Sequence, residues 1–151
     1  MAVATATVVS DSVTFLRDAL SNNITDPVSG SRSGRDRFVM TAYPQRPVKY
    51  PIITVRMIGG SATSSLGMQS EASVMRIPME VRVWASNQKQ KDNLTEQVLN
   101  YLRGNQFGTG SSTENGLHDF KINSMVNVDE PGEDGIRSKV IEITFMFIYG
   151  S

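Results

Sequence analysis

Hydrophobic and polar positions follow two periods along this chain, and the sharpest change from one to the other falls between Val74 and Gly104. Met75, Ile77, Met79, Val81, Val83 and Ala85 alternate with Arg76, Pro78, Glu80, Arg82 and Trp84, which places the two sets on opposite faces of a strand. After a short polar turn, Leu94, Val98, Tyr101 and Leu102 recur at i, i+4, i+7 and i+8, a single apolar stripe on a helix. A long strand therefore passes into an amphipathic helix that can fold back over it. Gly104 stands where a C′ glycine ends such a helix.

The same criteria predict the other elements. Residues 1–9 are small or β-branched and read as an arm or helix lead-in. Val9, Val13, Leu16 and Leu20, widened by Phe15 and Ala19, predict a first helix capped by Ser10 or Asp11 and ending near Asn22 and Asn23. Residues 25–37 (TDPVSGSRSGRDR) read as a mobile polar loop. Residues 38–43 predict a short strand, followed by an extended approach through Pro44, Pro47 and Pro51. Residues 52–58 predict a strand apolar on both faces, hence central in its sheet.

Loops are expected at 59–70 and 105–116, both rich in Gly, Ser and Thr. In residues 117–128, Phe120, Ile122, Ser124, Val126 and Val128 should share one strand face. A turn at 129–135 leads to residues 137–149, where Lys139, Ile141, Ile143, Phe145, Phe147 and Tyr149 alternate most regularly. These last two strands should form an antiparallel hairpin. The order α-β-β-β-α-β-β predicts an α+β fold, a mainly antiparallel sheet of about five strands with two helices packed on it. Residues 1–151 form a single domain on this reading.

Charge narrows the function classes without choosing one. Fifteen basic residues balance fifteen acidic ones, so net charge favours neither nucleic acid nor a membrane surface. With no cysteine, disulfides, thiolate catalysis and cysteine-held metals are excluded. The opening MAVATATVVS lacks the basic and apolar regions of a signal peptide, and no apolar run approaches the ~20 residues of a membrane helix. A soluble protein is expected.

Candidate chemistry is sparse. His118 has Asp119 beside it, but neighbours in a strand point to opposite faces, and no nucleophile motif accompanies them. Asp129, Glu130, Glu133 and Asp134 lack the alternate spacing of a calcium loop and suit a solvated turn. The run GGSATSSLG has no terminal lysine and does not enter a helix, so it is no phosphate cradle. The eight methionines suit gap-filling in the core. Arg32, Arg35 and Arg37 form the one local basic concentration; on a loop they suit contact with DNA phosphates or a partner, with Asp26 and Asp36 damping the charge. Arg82 and Trp84, on the polar-leaning strand face, suit either a cover for the helix–sheet junction or contact with another subunit. No catalytic residue, metal site or cofactor is predicted.

Several stretches together carry a resemblance: VSDSVTFLRDAL, then YPIITVRMI after a proline-rich approach, a Gly/Ser loop, MEVRVWASNQKQKDNLTEQVLNYLR, and the closing SKVIEITFMFIY. In order and spacing, across residues 10–149, the chain resembles the neck and tail-completion proteins of tailed viruses, the tail terminator group above all. The resemblance implies a structural virion protein, assembled in the host cytoplasm, that forms a ring, typically a homohexamer. Such a ring caps the tail tube, stops its polymerisation and docks the head-completion or connector protein. Genomic DNA passes through the channel without sequence-specific contact, and neither enzyme activity, cofactor nor membrane is involved. The alternatives are the head-completion protein one layer higher, and a small nucleic-acid-binding module built on Arg32, Arg35 and Arg37. A small enzyme using His118 is a third class.

Overall fold

A single 13-residue strand, β4 (Ser73–Ala85), carries the sheet. In the computed structural model, which describes residues 8–32, 37–42, 48–58, 63–65, 73–104, 117–128 and 136–149, it pairs along its whole length with β6 (Arg137–Tyr149), antiparallel from Ser73↔Tyr149 to Ala85↔Arg137. Its other side is shared by β2 (Ile52–Met57), matched from Ile52↔Trp84 to Met57↔Met79, and β3 (Thr63–Ser65), matched from Thr63↔Met75 to Ser65↔Ser73.

Pro78 explains that division. The Ile58 amide donates to the Pro78 carbonyl at 3.0 Å, so Pro78 turns its backbone polar groups toward the β2 side. Proline has no N–H to return, and the β2 ladder stops one residue earlier, at Met79. Pairing with β6 continues past Pro78, which lies opposite Thr144.

β5 (Leu117–Val128) lies antiparallel outside β6, and β1 (Val39–Met40) runs parallel to β2, giving the order β1-β2-β4-β6-β5. The expected α+β class and element order hold, with β2 central between β1 and β4. The strand expected over 38–43 is only two residues long. β3 falls inside the stretch read as the 59–70 loop, because Ser and Thr carry little hydrophobic signal.

Two helices cover one face. α1 (Val8–Asn23) and α2 (Gln88–Gly104) meet Ile53, Val55, Ile77, Met79, Val81, Val83, Ile141 and Ile143 in one buried cluster. Phe145 sits among them, edge-on to Phe15 at 6.4 Å and tilted against Phe120 at 5.1 Å. Each such side chain contributes about 1.5–3 kcal/mol through removal from water.

α1 starts at Val8, ahead of the expected caps Ser10 and Asp11, and its stripe is Val8, Ser12, Leu16 and Leu20. Val9 stays 44% exposed. Ser12 tolerates burial because its hydroxyl donates to the Val8 carbonyl at 2.6 Å. In α2, Asn87 is the cap, its side chain accepting from the Gln90 amide at 2.8 Å. The stripe contains Leu94, Val98 and Leu102, with Tyr101 half-buried beside it, but also Lys91 and Thr95. Thr95 donates to the Lys91 carbonyl at 2.7 Å and Lys91 to Asn127 Oδ1 at 3.2 Å, so both polar heads are satisfied inside the protein.

The face expected for β5 is corrected by two irregularities in its register with β6, one between His118 and Lys121 and one between Ile122 and Ser124. Ile122 lies opposite the core residue Ile143, whereas Ser124 lies opposite Glu142 on the other side of the sheet. Phe120 and Ile122 therefore face the helices, and Ser124, Val126 and Val128 face away. An extra residue in one strand exchanges the faces of everything beyond it.

Candidate assembly surface

The helices leave the second sheet face uncovered among the described residues, and that face is built from cross-strand rows. Arg56, Glu80, Glu142 and Ser124 form one row across β2, β4, β6 and β5. Glu80 and Glu142 are directly opposite, a placement that costs energy for two like charges. Flanking donors offset it: Arg56 reaches Glu80 Oε2 at 3.0 Å and Ser124 reaches Glu142 Oε2 at 3.3 Å.

Thr54, Arg82, Val140 and Val126 form the next row, and Ile52, Trp84, Ser138 and Val128 the one after. Polar contacts run diagonally between these two rows. Trp84 Nε1 donates to Thr54 Oγ1 at 3.0 Å, and Arg82 donates to Ser138 Oγ at 2.9 and 3.1 Å. Ser138 in turn donates to the Val128 carbonyl at 3.2 Å. The Arg82 guanidinium lies 4.0 Å from the Trp84 ring centre. Together these side chains tie β2, β4, β6 and β5, and Ile52, Thr54, Ser138 and Val140 in the same rows are buried. Arg82 and Trp84 thus form a stacked, half-exposed plate on this face near the C-terminal end of β4.

The three loop arginines divide. Arg32 is held inside the protein: it pairs with Asp26 at 2.5 Å, donates to the carbonyls of Lys49 (2.6 Å) and Pro51, and packs over the Phe38 ring. Its side chain is 5% exposed, so it is a strap between the 26–32 segment and the approach to β2, not a surface contact for DNA. Asp26 also accepts from the Val28 amide at 3.0 Å, and Ser29–Ser31 form a 3-10 turn, so this part of the expected mobile loop is anchored. Arg37 is exposed and lines a groove of about 520 Å³ with Arg17, Asp18 and β1. Arg35 lies outside the described residues, as do the acidic residues 129–134.

His118 lies in β5 opposite Met146, and its side chain is outside the described ones. Among the described residues no group of three or more His, Cys, Asp or Glu gathers as metal ligands. No described helix is long and apolar enough to cross a membrane. Sequence reasoning missed Thr54 and Ser138 as anchors of the plate. A lone hydroxyl in a strand gives no signal of the long side chain two strands away that will use it.

The fold and surface define a two-layer α+β protein with helices on one side of a mixed sheet. No protein-family model matches the chain, and no curated protein matches it.

Proposed function

We propose that this chain is a structural virion protein that forms a ring at the head–tail junction, capping the tail tube and presenting the surface to which the head connector docks. One observation supports the reading most: among the described residues, two helices cover only one face of the sheet, leaving a plate of Arg82 and Trp84 on the other face and two outer strands without a further pairing strand. Ring closure needs one surface of a protomer to meet a different surface of the next, and a one-sided sheet supplies such unlike surfaces. The element order across residues 10–149 adds the resemblance to tail terminators. The expected partners are further copies, six in the ring the resemblance implies, the tail tube protein and the head-completion or connector protein. Genomic DNA passes without sequence-specific contact, and the reading assigns no catalytic residue.

Electron microscopy of the purified protein and mass analysis of purified virions test it; a protein absent from particles would sink it. The head-completion layer is separated from the terminator by asking whether isolated heads or isolated tails carry the chain.

A nucleic-acid-binding module is the second reading, and the exposed Arg37 beside Arg17 in one groove favours it. Since Arg32 is internal, the informative variant is Arg35→Ala with Arg37→Ala, titrated against DNA at several salt concentrations. Unchanged affinity ends that reading.

A further inference from the structure

β1 and β5 are the outer strands of the main sheet path, and among the described residues no strand pairs on the outer side of either. Edge strands are ordinarily blunted by charge, proline or a bulge. In β5 those guards lie early: Lys121 and both register irregularities precede Ser124. Residues 124–128 (SMVNV) carry no charge and no proline, and they expose Met125 (45%) and Val126 (50%). At the other end of the sheet, β1 borders the 520 Å³ groove shared with Arg17, Asp18 and Arg37.

We propose that the two edges join between copies: residues 124–128 of one protomer pair with β1 of the next. Strand direction supports this. β5 is antiparallel to β6, β6 to β4 and β4 to β2, while β1 is parallel to β2, so β5 and β1 run in opposite directions within one sheet. Repeating the protomer head to tail therefore makes the junction antiparallel, with the helices of every copy on the same side.

Side-chain faces also match. Met40 lies opposite Thr54 and Val126 opposite Val140, so both stand on the uncovered face. Val39 lies opposite Ile53 and Met125 opposite Ile141, so both stand on the helix side. With Met40 opposite Val126, antiparallel pairing sets Asn127 opposite Val39 and leaves Met125 diagonal to Val39, so the apolar match is direct on the uncovered face and diagonal on the helix side. The charges at the groove mouth include the Arg17–Asp18 pair, in contact at 3.0 Å, so an uncharged strand meets little net repulsion there. Each junction is short, well below the roughly 1,000 Å² of a stable interface, and gains strength from closure of many copies. The contact rests on the ring reading for its setting, because it supplies the unlike-surface interface a ring requires.

The absence of cysteine makes the test direct. The double variant Met40→Cys with Val126→Cys, concentrated and mildly oxidised, is expected to give a ladder of covalent multimers, at least about tenfold above either single variant once the thiols reach paired-strand distance. Mixing the two single variants should give dimers only. Val126→Lys should weaken association at least about tenfold, by placing an unpaired charge in the edge. Disulfide dimers from Val126→Cys alone would overturn the junction in favour of two-fold pairing of β5. Rings without a ladder would overturn the junction and leave the proposed function standing. A ladder of open chains with no rings would keep the junction and remove the ring.

Discussion

Arg82 lies over Trp84, its guanidinium carbon 4.0 Å from the ring centre, although the two residues occupy one strand and are separated by Val83. Period 2 puts them on the same face, and their polar atoms are claimed from both sides, Thr54 on β2 and Ser138 on β6. The plate therefore exists before any partner binds. Trp84→Ala should lower unfolding free energy by about 2 kcal/mol through lost burial and stacking. Arg82→Ala should cost about 1 kcal/mol, and the double variant should show positive coupling in urea titrations. Since Trp84 is the only tryptophan, its emission should shift to shorter wavelength when copies pack over the plate and stay unchanged if they do not.

Removing Asp26 leaves the Arg32 guanidinium buried with only carbonyl acceptors and the Phe38 ring. Asp26→Ala should therefore cost about 2–4 kcal/mol. Arg37→Ala, at an exposed position, should change stability by no more than about 0.5 kcal/mol. Thermal melts of the two variants separate the structural arginine from the surface one.

Asn87 caps α2 through the 2.8 Å bond from the Gln90 amide. Asn87→Ala should destabilise by about 1 kcal/mol and Asn87→Asp by much less, since aspartate accepts the same bond. Chemical denaturation of the pair checks this.

Tyr101 is half-buried between the helices, and its hydroxyl accepts from Asn23 Nδ2 at 3.2 Å. Burial pushes its phenol above the ordinary value of 10.0. The neutral phenol is thus favoured by the fold: its contribution is complete below pH 10 and is lost as pH rises through the higher folded value. Stability measured across the alkaline range should fall more steeply in the native protein than in Tyr101→Phe.

The uncovered face and the strap show where pattern and structure part. Regular alternation in 75–85 and 137–149 was sufficient for β4 and β6, because burial of one face leaves no alternative register for long strands. The apolar residues of α2 were equally legible. Its buried Lys91 was not, because its satisfaction depends on Asn127, distant in sequence, and not on its own hydropathy. Arg32 and Arg37 look alike in the run SRSGRDR, yet only Arg32 finds Asp26 and two carbonyls within reach.

Sequence by itself determined the class of the protein: two amphipathic helices, the chain order of β1, β2, β4, β5 and β6, and the buried faces of β4 and β6, since these follow from local period and from the cost of exposing apolar surface. Tertiary structure alone decided the rest. The bulges in β5 set which face Val126 takes, Pro78 divides the partners of β4, and the fold chooses which arginines remain at the surface. Each depends on what lies opposite a residue, and that is a property of register and packing, not of the residue's neighbours in the chain.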